Sequence, residues 1–424
     1  MKTRGRRAYL AGVILLLLMG GTGIILNYFS KGLAYAESDA KAQAVNRSVV
    51  NANTDFALKL LKELMIEQKT KNIFISPLSI SIALAMTYNG ANTSTSEAMA
   101  KTLGFEGMST EEVNLGYQQL LQSLANADNQ VSLSLGNSVW IRESFASGVK
   151  QVFTDELKKS YQSEVYSRSF EPSTVNEVNS WVEKETNGKI SKILDEIEPE
   201  NVMFLINAIY FKGNWVDKFD ESATSSSDFT TSEGTKEAVD MMHNDSKYSY
   251  YEDNEVQIAR LPYGRDKFAM YVFLPNKGVD LDSYLSNLEL NTLENYFTKL
   301  SKTELDLKLP KLKLEYGKVD LKEALTNLGM GIAFDKYRAD LSGIADVKPE
   351  NLYIAFVDHK AVVEVNEKGT EAAAVTNVGI SVTSMPMRTS FTVNRPYMFL
   401  IRDDRSGSIL FIGSIENPMQ RTSP

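Results

Sequence analysis

Residues able to carry covalent chemistry are scarce in this chain. There is no cysteine, and there are two histidines, His243 and His359. That inventory removes thiol nucleophiles, disulfides and thiolate metal sites. Neither histidine sits in H-E-x-x-H, and no metal site is expected. The chain has no G-x-S-x-G elbow, no phosphate-binding G-x-x-x-x-G-K-[ST] loop and no G-x-G-x-x-G fingerprint. A Ser/His/Asp triad would need one of the two histidines, and no local pattern marks either. The carboxylates are numerous but scattered, as on a solvated face. Catalysis therefore finds no foothold, and no cofactor is implied.

What the residues do offer is backbone chemistry. Glu367–Ser384 reads E-K-G-T-E-A-A-A-V-T-N-V-G-I-S-V-T-S. With a period of two it splits into one face of Thr370, Ala372, Ala374, Thr376, Val378, Ile380 and Val382 and another of Glu371, Ala373, Val375, Asn377, Gly379 and Ser381. That is a strand with a buried side and a wetter side. Its leading half is made of small residues, which fit narrow gaps better than they fill cores. Such a strand can slide between neighbours and join a sheet already formed. The expected work is a conformational change, not turnover.

A moving strand needs a large body to receive it. The chain has 424 residues, 43% of them hydrophobic, enough for a sizeable core. No Pro/Gly/Ser-rich linker follows residue 55 or so, and no internal repeat is present, so one large domain is expected. Phe56, Leu60, Leu61 and Leu64 have helical spacing. Ile73–Tyr88 is apolar almost all round and reads as a helix or strand buried on every side. Strands are expected at Val131–Ile141, Val202–Phe211, Phe268–Leu274, Leu305–Leu309, Ala361–Val365, Tyr397–Ile401 and Ile409–Ile412. Helices are expected at Thr174–Glu185 and Val319–Leu328. The fold class is α+β.

The N-terminus speaks to location. Met1–Arg7 is basic, Ala8–Ser30 is uncharged, and Ala34-Tyr35-Ala36 supplies small residues for cleavage. Residues 1–36 read as an export signal, with a retained membrane anchor as the alternative. Either places the folded part outside the cytoplasm, extracellular or at the cell surface. The formal charge is −9, and loss of residues 1–36, with five basic residues and no acid, would leave about −14. That balance argues against a nucleic-acid partner.

Several separate motifs resemble one family, the serpins, and the resemblance runs from about Asn53 to Pro418. Asn72-Ile-Phe-Ile-Ser-Pro-Leu-Ser79 resembles the opening of that family's buried second helix. Asn207-Ala-Ile-Tyr-Phe-Lys-Gly-Asn-Trp215 resembles its central-sheet strand. Glu367-Lys-Gly-Thr-Glu-Ala-Ala-Ala374 resembles the hinge of its reactive loop. Asn394-Arg-Pro-Tyr-Met-Phe-Leu400 and Phe411-Ile-Gly-Ser-Ile-Glu-Asn-Pro418 resemble its C-terminal strands. The resemblance implies about eight or nine helices around three β-sheets, with a large central sheet and an exposed loop. The chain then divides into 1–36 signal or anchor, 37–53 polar arm, 54–418 domain with the reactive loop at 367–390, and 419–424 tail.

It also implies an irreversible, suicide-substrate inhibitor of serine endopeptidases. The target protease cleaves the loop and forms an acyl-enzyme, and loop insertion into the sheet traps it covalently. A non-inhibitory binding or chaperone protein of the same fold is the alternative. The protein is expected to be a monomer, with polymerisation by loop insertion as its failure mode. The hinge is Glu367, Gly369, Thr370, Ala372, Ala373 and Ala374, and Val375 departs slightly from the family's small residue there. Counting from Gly369 puts the scissile bond at Thr383–Ser384, with Ser384–Met385 next and Arg388–Thr389 last. A small residue after Val382 suits an elastase-like or subtilisin-like target. Ser76, Ser79, Asn207 and His359 match the polar shutter beneath the strands that part. Lys311 and Glu367, with Trp215 beside them, match the breach that closes the top of the sheet. His359 is expected to be a satisfied core histidine rather than a pH switch.

Overall fold

The computed structural model describes residues 45–125, 127–347, 351–370 and 388–420. Among them are fifteen strands and ten α-helical segments, two of the latter only four residues long. The strands form two hydrogen-bonded networks.

The first is a six-stranded sheet in the order β10 (Leu312–Asp320), β11 (Asp358–Asn366), β12 (Gly369–Thr370), β4 (Met203–Asn214), β2 (Val131–Arg142) and β3 (Glu164–Arg168). All its pairs are antiparallel except β2 with β3. The second runs β1 (Ile73–Ile75), β15 (Ile409–Ile415), β14 (Tyr397–Asp403), β8 (Phe268–Pro275), β7 (Val256–Tyr263), β6 (Lys236–Glu252), β9 (Ser301–Pro310) and β13 (Thr389–Thr392), with β5 (Ser225–Thr230) also on β6. Strand β6 is what makes this nine-stranded network continuous. Its first part pairs with β5, its middle with β9, and Ser249–Glu252 at its end with β7.

The ambiguous Ile73–Tyr88 run contains both element types: β1, then a helix over Pro77–Tyr88. Ser76 caps that helix by accepting from the Ser79 backbone N–H, and Pro77 occupies its first turn, where no amide hydrogen is needed. Eleven of its twelve residues are buried, so the sequence has no polar face to betray a helical period. It packs beneath β4 and beside β15. On the other side of the six-stranded sheet lies the Pro172–Glu185 helix, whose Val178, Trp181 and Val182 pack with Trp140, Phe204 and Ala208.

Two sequence boundaries move. The first helix spans Arg47–Glu67, capped by the Asn46 side chain, so residues 47–53 of the polar arm form its first two turns, with Val49 and Val50 buried. Val319, placed in a helix by its spacing, ends β10, and the helix that follows covers only Lys322–Leu325. Gly329, at φ 111°, stops any regular continuation.

Candidate functional site

Gly369 and Thr370, two of the residues matched to the hinge, already sit in the sheet. Gly369 pairs with Asn366 of β11 and Asn214 of β4, and Thr370 pairs with Val365 and Gly213. Glycine is required at 369: its φ is +151°, and a Cβ there would meet the Gly213 carbonyl oxygen at 2.0 Å. Thr370 turns its side chain into the core, where its Oγ1 lies 2.6 Å from the Tyr263 hydroxyl. The Tyr263 ring stacks on Trp215, with centroids 4.4 Å apart. Trp215 in turn donates from Nε1 to the Asn366 carbonyl at 2.9 Å and from its backbone N–H to the Lys368 carbonyl.

Glu367 and Lys311 meet above this hinge, Oε1 to Nζ at 2.9 Å. Thr224 Oγ1 also donates to Glu367 Oε1 at 2.8 Å. Burial pushes the Glu367 carboxyl up, but hydrogen bonds from Lys311, the backbone and Thr224 outweigh it and hold the group below its ordinary range. Tyr263 and Thr224 have no counterpart in the sequence reading. Both lie far along the chain from the hinge, in stretches with no motif, so only the packed structure reveals them.

Below the hinge the sheet is parted. Among the described residues β4 and β11 share no ladder of their own, and β12 alone bridges them. The gap is a cavity of about 550 Å³. One wall is Glu200–Ile209, and the other is the extended run Asn351–Lys360. Its inner face is closed by Ile80, Ala83 and Leu84 of the Pro77–Tyr88 helix. Its outer face is closed by Val182 of the Pro172–Glu185 helix and by Ile193 beyond it.

The four residues matched to the shutter gather here, but not as one closed network. Ser76 donates its backbone N–H to His359 Nε2 at 3.1 Å and its hydroxyl to the Leu410 carbonyl at 2.7 Å. Ser79 joins through its backbone N–H to Ser76 Oγ. Asn207 stands across the gap and donates to Asn137 at 2.6 Å, leaving its own Oδ1 buried without a partner. Asn207, Ser79 and His359 all line the cavity. The hydrogen bonds join Ser76, Ser79 and His359 and stop at the slot, because β4 and β11 share no ladder. Burial drives His359 down to a pKa of about 3, so it is a neutral imidazole accepting one backbone N–H.

Ala372, Ala373, Ala374, Thr383, Ser384 and Met385 lie outside the described residues. Arg388 and Thr389 are inside them. Arg388 pairs with Asp245, and Thr389 opens β13, in register with Leu305 of β9.

Residues 51–418 match the family model described as Serpin (serine protease inhibitor). The chain belongs to the serpin family. This serpin is 35% identical over 382 residues to a human protein named leukocyte elastase inhibitor, covering 87% of this chain and 99% of that one. It is 33% identical over 379 residues to a corticosteroid-binding globulin of Pongo abelii, covering 88% and 91%. Its fold matches the crystal structure of a thermophilic serpin, Tengpin, in the native state, with a TM-score of 0.79 at 32% identity, covering 87% of this chain and 94% of that one. The family thus includes members named for protease inhibition and members named for hormone binding, so family membership alone does not assign the activity.

Proposed function

We propose that this serpin is an irreversible suicide-substrate inhibitor of serine endopeptidases, of elastase-like or subtilisin-like preference. The observation that carries this reading is the seated hinge above an open slot in the same register. Each step forward from Thr370 is one step back along both β4 and β11. On insertion in this register Thr376 would fall opposite Asn207 and His359. Thr383 would fall opposite Glu200 and Leu352, near the far end of both cavity walls. The slot thus has the length of a loop cut at Thr383–Ser384. Because Thr370 faces inward, an inserted strand with the same alternation would turn Ala372, Ala374, Thr376, Val378, Ile380 and Val382 to the core side as well.

In the proposed cycle the protease serine attacks the Thr383 carbonyl. The amine of Ser384 leaves, and an ester joins Thr383 to the enzyme. Insertion then adds a strand of about 13 residues, about 45 Å long. On the order of ten new ladder bonds at ~1 kcal/mol net each favour it by ~10 kcal/mol. The uncut state is accordingly held by a kinetic barrier. Cleavage at Ser384–Met385 would keep this register and lengthen the inserted strand by one residue. Arg388–Thr389 suits cleavage least, since Arg388 is tied to Asp245 and Thr389 is held in β13. The basic and apolar residues 1–36 favour action outside the cytoplasm.

The test mixes residues 37–424 with neutrophil-type elastase, subtilisin, chymotrypsin and trypsin, followed by denaturing gels and mass spectrometry. An SDS-resistant complex with a released peptide beginning at Ser384 is expected. Rapid cleavage without a complex for every enzyme would overturn the proposal in favour of a non-inhibitory binding protein.

A further inference from the structure

The second histidine takes no part in this machinery. His243 and Asp245 are two residues apart on β6 and share a face. The ladder sets Asp245 directly opposite Asp306 on β9. Two carboxylates in register across an antiparallel pair repel one another, so the position calls for a cation. His243 Nε2 stands 2.9 Å from Asp306 Oδ1 and 3.4 Å from Asp245 Oδ1. His243 Nε2 and Asp306 Oδ1 are both buried atoms without a hydrogen-bond partner. They are close enough to bond but off the line that an N–H···O contact requires.

Those spacings suit a metal ion. Nitrogen and oxygen ligands about 2.0–2.2 Å from an ion are separated by roughly 3–3.5 Å along the edges of an octahedron or tetrahedron. One imidazole with two carboxylates favours zinc or a neighbouring transition ion over calcium, which takes more ligands and only oxygen. The cations now present are protein groups: Arg388 on Asp245, and Lys308 with its Nζ 3.8 Å from Asp306 Oδ2. Arg388 immediately precedes β13, the strand by which the far end of the reactive loop returns to β9.

We propose that His243, Asp245 and Asp306 form a divalent transition-metal site whose ion competes with Arg388 for Asp245 and loosens the C-terminal root of the reactive loop. The effect on the loop rests on the insertion reading above. An uncut loop can enter the slot fully only if β13 leaves β9. The stretch from Thr383 to Thr389 reaches only about 20 Å, far short of the inserted strand. Metal would therefore speed spontaneous inactivation. By linkage, removing Arg388 would tighten metal binding.

Calorimetric titration of residues 37–424, untagged, with Zn²⁺ alone tests the site without any protease, so its outcome is independent of whether the trap works. One ion per chain is expected. His243→Gln and Asp306→Asn should each weaken binding at least tenfold, and Arg388→Ala should tighten it severalfold. Melting curves would verify that each variant is folded. No binding by the wild type, or unchanged affinity in both ligand variants, would overturn the site. Native gels after mild heating with and without Zn²⁺ test the coupling. Faster loss of the native band with zinc is expected, and equal rates would overturn the link to the loop while leaving the site standing.

Discussion

The Tyr263 hydroxyl lies 2.6 Å from Thr370 Oγ1, joining the second residue of β12 to the core beneath the six-stranded sheet. Tyr263 is fully buried and stacked on Trp215. One side-chain hydrogen bond thus ties Thr370, where the proposed insertion would begin, to the tyrosine stacked on Trp215.

Tyr263→Phe keeps the ring and removes that bond. It should cost about 1 kcal/mol, roughly a fivefold shift towards an unseated hinge. Trp215 emission is the readout, because its stacking partner would lose its tether. Emission and hinge proteolysis identical to wild type would contradict a role for the contact.

Glu367→Lys puts a second cation beside Lys311, 2.9 Å from the present carboxylate oxygen. Faster spontaneous insertion and polymerisation are expected. Native gels after mild heating should show loss of monomer severalfold sooner than in wild type, and unchanged monomer would count against the breach assignment. Low pH should act in the same direction. The folded carboxyl sits below its ordinary value, so its contribution is present above about pH 4.5 and is lost as pH falls through the lowered folded value.

Thr376→Arg tests the register. If Thr376 enters between Asn207 and His359, a buried guanidinium there lacks an acidic partner and opposes insertion. The loop would still be cut, but the ester would hydrolyse first. Gels should show inhibitor turned into substrate, with the yield of covalent complex falling at least tenfold. A full yield of complex would show that the strand does not pass this point in this register.

His359 makes a pH prediction. Its folded pKa is depressed to about 3, against 6.5 ordinarily. The unfolded chain therefore takes up a proton that the folded chain refuses. This contribution is constant above about pH 6.5. It declines by up to ~1.4 kcal/mol per pH unit as acid approaches the folded value. His359→Gln should flatten the fall in urea midpoint between pH 6.5 and 4 relative to wild type. Parallel curves would show that His359 does not titrate this way.

Much of the strand layout was legible because it depends on local pattern. Val131–Ile141 and Tyr397–Ile401 lie within β2 and β14, where burial of adjacent hydrophobic residues leaves little ambiguity. β6 was not legible: His243, Asn244, Asp245 and Lys247 break its apolar alternation, and pairing with β5, β7 and β9 decides its conformation instead. The helix over Arg47–Asn53 was hidden for a related reason, since two buried valines among polar residues are too few to set a period.

The same division holds at the site. Sequence by itself determined the family and the alternation that sets Thr370 on one face, because each depends on residue type and local spacing, and the family resemblance matched Glu367 with Lys311, which meet at 2.9 Å. Only the tertiary structure decided that Gly369 and Thr370 are already paired on both sides and that Tyr263 and Thr224 hold them. It alone showed that Asn207 faces an open slot rather than His359, and that His243, Asp245 and Asp306 converge. Most of those relationships join residues tens to more than a hundred positions apart. Their distances follow from sheet register and helix packing over the whole domain, which no local window of sequence contains.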